Sequence, residues 1–203
     1  MKLITPFPWK VGQHLSIVGG TGTGKSTLAS YLLTQRKYVI VLKSKPDEVT
    51  YDMPTKRTAN SIESVDRMVL SPTGNQRSHF AYAYDRVWRQ GGWTIYVDEL
   101  FYHTEKLHLG TAVDNLLTQG RSKHISVMIG MQRPVRVTRF ALSECSHIIS
   151  FSLEGRDNKT IRDVTNDEMY EKTSQLQRFQ FAWYSRPDRR VWVGRLQDLI
   201  HPD

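Results

Sequence analysis

Residues 19–26 read Gly19-Gly20-Thr21-Gly22-Thr23-Gly24-Lys25-Ser26 and fit the pattern G-x-x-x-x-G-K-S/T. The apolar run Leu15–Val18 leads directly into this stretch, and a helix-like segment, Ser26–Gln35, follows it. Glycines allow a tight loop whose backbone N–H groups point at phosphate oxygens, and the start of the helix attracts the same anion. The order of strand, glycine-rich loop and helix therefore predicts a P-loop, a phosphate-binding element.

The same pattern predicts roles for the side chains of the loop. Lys25 is expected to reach the β- and γ-phosphates of a nucleotide, and the Ser26 hydroxyl to ligate Mg²⁺. A flexible glycine turn without a ligand is the alternative, and the strand and helix on either side weigh against it. ATP and Mg²⁺ are thus the expected ligands, and the residues predicted to bind the nucleotide are Gly19, Gly20, Thr21, Gly22, Thr23, Gly24, Lys25, Ser26 and Thr27.

Length and charge narrow the class of protein. A chain of 203 residues suits a single domain, 1–203, with a core over about 13–165 and a C-terminal extension over about 166–203. A net charge of +8 favours nucleic acid as a partner, although a basic protein whose only anion is its nucleotide is the alternative. No apolar run approaches the ~20 residues of a membrane span, so no integral membrane segment is expected. The single cysteine, Cys145, is expected to be a packed residue rather than a nucleophile.

Short apolar runs alternate with helix-like segments, which is the pattern of an α/β protein with a parallel sheet. A weaker strand is predicted at Arg67–Leu70, and the polar segment Asp47–Asn60 is predicted to be a surface loop. The runs that are apolar on both faces, as a sheet covered by helices requires, are predicted to be core strands: His14–Val18, Tyr38–Leu42, Trp93–Val97, Ser126–Met131 and His147–Phe151. The predicted helices are Ser26–Gln35, Phe80–Gln90, Leu107–Thr118, Arg139–Glu144 and Asn158–Val164.

The C-terminal part of the chain has a different character. Two aromatic-rich runs, Phe179–Tyr184 and Arg190–Gly194, flank the turn segment Ser185–Arg189 and predict a β-hairpin. We expect its aromatic side chains to seal an edge of the sheet rather than to stack on nucleic-acid bases. The predicted architecture is a mainly parallel sheet with helices on both faces and a C-terminal hairpin.

Candidate catalytic residues follow two of the predicted strands. Asp98 and Glu99 come directly after Trp93–Val97, where the first acid could hold Mg²⁺ near Ser26 and the second could polarise a water for attack on the γ-phosphate. Gln132 closes another strand, where its amide could bond both the attacking water and the γ-phosphate. Surface acids that cap a strand are the alternative, and the phosphate loop earlier in the chain weighs against it. The pattern favours hydrolysis over phosphoryl transfer.

These motifs in this order resemble the FtsK/HerA group of P-loop motor ATPases. The resemblance is carried by Gly19–Ser26, by Asp98-Glu99 and by the block from Gly120-Arg121 to Gln132-Arg133-Pro134, and it covers about residues 13–165. The group includes DNA translocases, conjugation pumps and the genome-packaging ATPases of tailless, membrane-containing viruses. The resemblance implies a RecA-like fold with an additional strand between the strand of the phosphate loop and the Asp-Glu strand.

The resemblance also implies a function and partners. A bare motor of this size, without membrane segments, winged-helix domain or amino-terminal β-barrel, is most similar to the viral packaging enzymes. The expectation is an ATPase that packages double-stranded DNA into a capsid as a homo-oligomeric ring, a pentamer or hexamer, in the host cytoplasm or at the packaging vertex of the virion, where capsid vertex proteins are the expected partners. The alternatives are a DNA pump for conjugation or chromosome transfer, a filamentous-phage-type export ATPase and, less favoured, a nucleotide kinase.

Arginine and lysine residues cluster in and after the block from Gly120-Arg121 to Gln132-Arg133-Pro134. Arg121 precedes Gln132 by eleven residues, as an arginine does in several family translocases, and the resemblance implies that it enters a neighbouring subunit's site. Contact with solvent or DNA phosphate is the alternative for Arg121, and Arg133 is the second candidate for the same role. Basic residues predicted to contact DNA phosphates are Arg121, Lys123, Arg133, Arg136 and Arg139, with Lys43 and Lys45 as further candidates.

Overall fold

The computed structural model describes residues 7–45, 51–59 and 65–200. Within these ranges one sheet of nine strands forms the centre of the molecule. The strands are β1 (Leu15–Val18), β2 (Val39–Leu42), β3 (Thr55–Lys56), β4 (Arg67–Leu70), β5 (Thr94–Val97), β6 (Ser126–Met131), β7 (His147–Ser150), β8 (Gln180–Ser185) and β9 (Arg190–Arg195).

The sheet is mainly parallel, as predicted. Its strand order is β3-β4-β2-β5-β6-β1-β7-β8-β9, and every pair from β3 to β7 along this order is parallel. Strand β6 lies between β1, which leads into the glycine-rich loop, and β5, which leads into Asp98. This is the additional strand that the resemblance implied, and the predicted fold class is confirmed.

Helices cover both faces of the sheet. One face carries α1 (Lys25–Leu33) and α7 (Leu196–Ile200) together with the segment around Phe7 and Trp9. The other face carries α2 (Gln76–Gln90), α3 (Gly110–Gln119), α4 (Arg139–Ser143), α5 (Gly155–Val164) and α6 (Asp167–Gln175). Side chains of a strand alternate between these two cores because successive residues point to opposite faces, so the strands at the centre are buried throughout.

Several predicted elements differ from those observed. The predicted loop 47–60 lies partly outside the described residues, and its described part contains β3, a strand too short to show any periodicity. The predicted helix 107–118 is α3, which begins at Gly110 because the left-handed backbone of His108 (φ 53) separates it from a preceding π-helix, Tyr102–Lys106, that was not predicted. Helices α6 and α7 were not predicted, although Asn166 caps α6 by accepting a hydrogen bond from the backbone N–H of Met169.

The C-terminal hairpin closes one edge of the sheet, as predicted. Strand β8 pairs antiparallel with β7, and β9 pairs with β8 as the outermost strand. The Trp183 ring is buried, stacks on Trp192 with centroids 4.4 Å apart, and donates its indole N–H to Nδ1 of His147 at 3.2 Å. These aromatic rings therefore pack within the protein rather than being presented to a nucleic acid.

Cys145 is a packed residue, as the sequence predicted. Its side chain is fully buried beside β7, and the thiol donates to the carbonyl oxygen of Ala141 at 3.3 Å. Burial raises the pKa of the thiol to about 12, so the nucleophilic thiolate is not populated at neutral pH.

Gly130 of β6 has no room for a side chain beside the end of β5. A methyl group at this position would collide with the carbonyl oxygen of Asp98 and would come within 2.7 Å of the Tyr96 hydroxyl oxygen. Neither neighbour can move freely, because one is backbone and the other belongs to a buried ring. Glycine at position 130 is therefore required by the spacing of β5 and β6.

We predict that Gly130→Ala lowers the free energy of unfolding by about 1–3 kcal/mol, because the added methyl group overpacks a closed site. Chemical denaturation with urea measures the change. Gly74→Ala is the matched control, because nothing lies within 4 Å of the methyl group that it adds. Equal stability of the two variants would show that β5 and β6 can separate at no cost.

Candidate active site

The glycine-rich loop connects the carboxyl end of β1 to the start of α1. Gly24 caps α1 in a left-handed conformation (φ 104), and a methyl group at this position would collide with the side chain of Leu196 from α7. Glycine is therefore needed at position 24 both for the backbone conformation and for the packing of α7. Leu196, in the C-terminal part of the chain, therefore packs directly against the loop.

A cavity of about 430 Å³ opens over this loop. It lies at the carboxyl ends of neighbouring parallel strands, which is where ligands bind in open α/β sheets. The loop contributes its backbone and Lys25, and the ends of β5 and β6 contribute Asp98, Glu99 and Gln132. The cavity is lined by Thr21, Gly22, Gly24, Lys25, Ser26, Thr27, Ser44, Lys45, Asp98, Glu99, Gln132 and Phe179. The structure thus brings together all the predicted site residues of the three motifs except Gly19, Gly20, Thr23 and Arg121.

Gly19, Gly20 and Thr23 instead take part in hydrogen bonds within the loop. The Lys25 ammonium donates to the carbonyl oxygens of Gly19 at 2.6 Å and Gly20 at 2.7 Å, and the Thr23 hydroxyl donates to Gly20 at 2.9 Å. These bonds fold the start of α1 back over the loop. Lys25 is consequently held at the cavity, with its positive charge beside the loop backbone.

Glu99 has the environment of a general base. Burial raises the pKa of its carboxyl above the ordinary value, the charge of Lys25 opposes this rise, and the neighbouring carboxylate of Asp98 adds to it. The backbone of Gln132 lies near the Glu99 carboxylate and favours its charged form. The ends of β5 and β6 therefore meet around this carboxylate at the cavity.

Two buried tyrosines lie between Ser26 and Asp98. The Tyr96 hydroxyl donates to Oδ1 of Asp98 at 3.1 Å. The centre of the Tyr51 ring is 6.4 Å from that of Tyr96, and the Tyr51 phenol lies near the Ser26 side chain. Burial raises the pKa of both phenols, so both keep their protons. A hydroxyl and a carboxylate oxygen are ligands that Mg²⁺ prefers, and Tyr96 orients the carboxylate through its hydrogen bond, so Ser26 and Asp98 fit a magnesium ion.

Sequence reasoning missed this tyrosine pair. A signal existed for Tyr96, because it lies two residues before Asp98 and side chains at that spacing on a strand share a face. No pattern pointed to Tyr51, which reaches the site through the fold of a polar segment. Its contact with Ser26 is visible only in three dimensions.

The C-terminal extension also contributes to the site. Phe179 lines the cavity and has a left-handed backbone (φ 63), and the Arg178 guanidinium lies 4.7 Å from the centre of its ring. A second cavity of about 330 Å³ lies between this residue and the glycine-rich loop, with Phe151 in its wall. The hairpin was predicted as an edge of the sheet, and the segment that leads into it is also a wall of the site.

The two lysines after β2 differ in exposure. Lys43 is 6% exposed, so the expectation that it adds to an exposed DNA-binding face was wrong, whereas Lys45 is exposed and lines the cavity over the glycine-rich loop. The end of β2 lies at the same end of the sheet as the ends of β5 and β6, and a DNA contact by Lys45 stays a prediction.

Arg121 lies at the amino ends of the parallel strands, whereas the cavity lies at their carboxyl ends. It is exposed on a short 3₁₀ helix, Gly120–Lys123, before β6, whereas Gln132 follows the other end of that strand. A strand of this length spans about 20 Å, so Arg121 does not reach the cavity of its own chain. Arg133 is close to the cavity edge, and its guanidinium pairs with Oδ2 of Asp157 at 3.0 Å.

The sequence matches no family model. It is 32% identical over 168 residues to the DNA packaging ATPase P9 of Enterobacteria phage PRD1, a match that covers 74% of this chain and 69% of that protein.

Solved structures share the fold. The genome packaging NTPase B204 of Sulfolobus turreted icosahedral virus 2, in complex with AMP, has a TM-score of 0.76 at 19% identity over 90% of this chain and 96% of that chain. VirB4 of Thermoanaerobacter pseudethanolicus has a TM-score of 0.63 at 10% identity over 90% and 88% of the two chains. The identity with P9, over most of both chains, shows the relationship that the motifs predicted: the chain belongs to the family of viral DNA-packaging ATPases.

Proposed function

We propose that this protein is the ATP-hydrolysing subunit of a motor that moves double-stranded DNA into a viral capsid. The observation that carries the proposal is the convergence of Lys25, Asp98 and Glu99 in one cavity over a glycine-rich loop, in a member of the packaging family. The basic net charge of +8 supports a polyanionic partner.

The residues of the cavity divide the work of hydrolysis. The loop N–H groups and Lys25 bind the phosphates. Ser26 and Asp98 would hold Mg²⁺, which would supply positive charge to neutralise the phosphates. Glu99 accepts a proton from a water whose oxygen attacks the γ-phosphorus. The bond from this phosphorus to the bridging oxygen breaks, its electron pair stays with ADP, and Gln132 bonds the γ-phosphate.

A nucleotide kinase is the weaker candidate. Such an enzyme must keep water from the γ-phosphate, whereas here the Glu99 carboxylate, with its raised pKa, lines the cavity and can act as a base for water.

Within the described residues, no helix has both the length and the apolar character needed to cross a bilayer.

We further propose a homo-oligomeric ring, a pentamer or hexamer, in which Arg121 of one subunit completes the site of its neighbour. Its position at the edge opposite its own cavity supports a role in another subunit. Positive charge lies at both ends of β6, with Arg121 and Lys123 at one end and Arg136 and Arg139 at the other, and this supports phosphate contacts with DNA. The proposed location is the host cytoplasm or the packaging vertex of the virion, beside capsid vertex proteins.

We predict that Glu99→Gln keeps nucleotide affinity but lowers kcat by about 10²–10⁴-fold, because the amide cannot accept a proton from water. Phosphate release measures kcat, and calorimetry measures affinity. The control is Glu171→Gln on the exposed side of α6, which we expect to leave both unchanged.

The raised pKa of Glu99 adds a pH signature to the same measurement. The base must be deprotonated, so kcat falls as the pH falls through that pKa, and the acid limb lies at higher pH than an exposed glutamate gives. A Glu99→Gln protein that hydrolyses ATP at the wild-type rate would remove Glu99 as the base.

We predict that Tyr96→Phe raises the Mg²⁺ concentration for half-maximal hydrolysis by about 10–100-fold, because Asp98 loses the donor that orients it. Tyr51→Phe acts in the same direction through Ser26. Nucleotide affinity in the absence of Mg²⁺ stays unchanged, and Tyr170→Phe on α6 is the matched control. An unchanged Mg²⁺ requirement in both variants would show that the tyrosine pair does not position the metal ligands.

We predict that Arg121→Ala leaves nucleotide affinity nearly intact and lowers the ATPase rate of the oligomer by about 10³–10⁵-fold, because a trans-acting arginine stabilises charge in the transition state. Mixing this variant with Lys25→Ala restores part of the activity, since one mutant supplies the loop and the other the arginine. Arg156→Ala, exposed on α5, is the control. A full ATPase rate with weaker, less salt-dependent DNA binding would instead make Arg121 a phosphate contact.

A further inference from the structure

A buried histidine lies next to the cavity and has no role in the hydrolysis described above. His103 is on the π-helix that follows the Asp98-Glu99 pair, and its backbone N–H donates to the carbonyl oxygen of Glu99 at 3.3 Å. Its ring is fully buried and stacks on Phe80 with centroids 4.6 Å apart. Burial lowers the pKa of the imidazole to about 3, so the ring is neutral and carries one N–H.

Both ring nitrogens of His103 have hydroxyl partners. Nδ1 lies 2.9 Å from the Tyr84 hydroxyl on α2, and Nε2 lies 3.3 Å from the Ser44 hydroxyl after β2. Tyr84 is 2% exposed, and within the described part of the chain His103 is the one hydrogen-bond partner of its hydroxyl.

The buried phenol decides which nitrogen is protonated. If Nδ1 carried the proton, the Tyr84 O–H would have no acceptor in the interior, which costs the desolvation of a polar group. Tyr84 therefore donates to Nδ1, and the proton of His103 is on Nε2, where it is donated to Ser44 Oγ. As an acceptor in this bond, Ser44 directs its own proton away from His103.

Ser44 is held in place on its backbone as well as on its hydroxyl. Its carbonyl oxygen accepts a hydrogen bond from Nε2 of Gln76 at 3.2 Å, and the Tyr102 hydroxyl donates to the amide oxygen of Gln76 at 2.9 Å. Ser44 also lines the cavity over the glycine-rich loop, and no described residue accepts a hydrogen bond from its hydroxyl. The cavity that Ser44 lines is the space into which its hydroxyl can donate.

The order of the strands identifies which part of a nucleotide Ser44 meets. Along the edge of the sheet, β1 with its loop is followed by β6, then β5, and last β2 with Ser44. Neighbouring strands are ~4.8 Å apart, so Ser44 lies farther from the loop than Glu99 does. Phe179 is on the other side of the loop, towards β8. A nucleotide bound along this edge presents its terminal phosphate to Ser44.

We propose that Ser44 donates a hydrogen bond to the terminal phosphate of the bound nucleoside triphosphate, and that Tyr84 and His103 are positioning residues that orient its hydroxyl. This inference rests on the proposed function, because it requires a triphosphate in the cavity. It makes Ser44 a contact that distinguishes the triphosphate from the diphosphate. Since His103 belongs to the segment that carries Glu99, the same bonds tie this contact to the position of the catalytic base.

The first test compares the affinities of Ser44→Ala and the wild-type protein for ADP and for a methylene-bridged, non-hydrolysable ATP analogue, by calorimetry. A lost hydrogen bond to a charged phosphate predicts roughly tenfold weaker binding of the analogue and unchanged binding of ADP. Ser152→Ala, an exposed serine beside the neighbouring cavity, is the control and leaves both affinities unchanged.

The second test reads the proton on His103 directly. Long-range ¹H–¹⁵N NMR of the histidine-labelled protein, with His103→Gln to identify the signals, is expected to show the Nε2–H form in the wild type and its loss of dominance in Tyr84→Phe. The same Tyr84→Phe protein binds the analogue more weakly while binding ADP normally. Tyr82→Phe, on the same helix and 38% exposed, changes neither measurement.

Three outcomes would overturn the proposal: an Nδ1–H form in the wild type, equal losses of ADP and analogue in Ser44→Ala, or unchanged affinity for the analogue. In each of these cases the proposed hydrolysis could still stand. A wild-type protein that binds neither nucleotide would instead overturn the proposed function, and this inference with it.

Discussion

The in-register parallel pairing of four central strands is the constraint on which the site depends. Val18 pairs with Met131, Leu42 pairs with Val97, and Val97 pairs with Ile129, so the four strands end within two residues of one another at the same end of the sheet. The residues that follow them along the chain, distant in sequence, then line one cavity. Because the strands are buried on both faces, a shift of register would move a whole set of side chains to the wrong core. The apolar character of the strands therefore fixes the geometry of the polar residues beyond their ends.

Crowding at the same edge gives the site its rigidity. Gly130 allows β5 and β6 to approach closely, and the Tyr96 hydroxyl beside it is directed to Asp98. The buried tyrosine hydroxyls and the buried His103 imidazole near the cavity have polar partners, because an unpaired polar group in the interior would be costly. These groups orient side chains that line the cavity: Tyr96 orients Asp98, and Tyr84 and His103 orient Ser44.

Much of this arrangement could be predicted from the sequence because it depends on local patterns. The glycine spacing, the apolar runs and the acids after Trp93–Val97 all act within a few residues, and the central strands were predicted to within a residue or two. Strand β3 could not be predicted, because two residues carry no period and their pairing with β4 is non-local. Three residues of the site were not predicted for a similar reason, since only the tertiary fold brings them to the glycine-rich loop: Tyr51, Phe179 and Ser44. The burial of Lys43 was not predicted, because a charge in the sequence does not reveal whether the fold will expose its side chain.

The two ends of β6 support the proposal that a complete site needs more than one subunit. Gln132 lies at the cavity, and Arg121 lies before the other end of the same fully buried strand. A rigid strand about 20 Å long keeps that arginine from its own site, yet presents it at the opposite edge of the molecule. In the proposed head-to-tail ring, each subunit would place one of its sides against the opposite side of its neighbour, so Arg121 of each chain would serve the site of the next. A change at the γ-phosphate that shifts β6 would then move Arg121 as well, because a packed strand moves as a unit. Hydrolysis in one proposed site and completion of the next would in this way be linked through one element of the sheet.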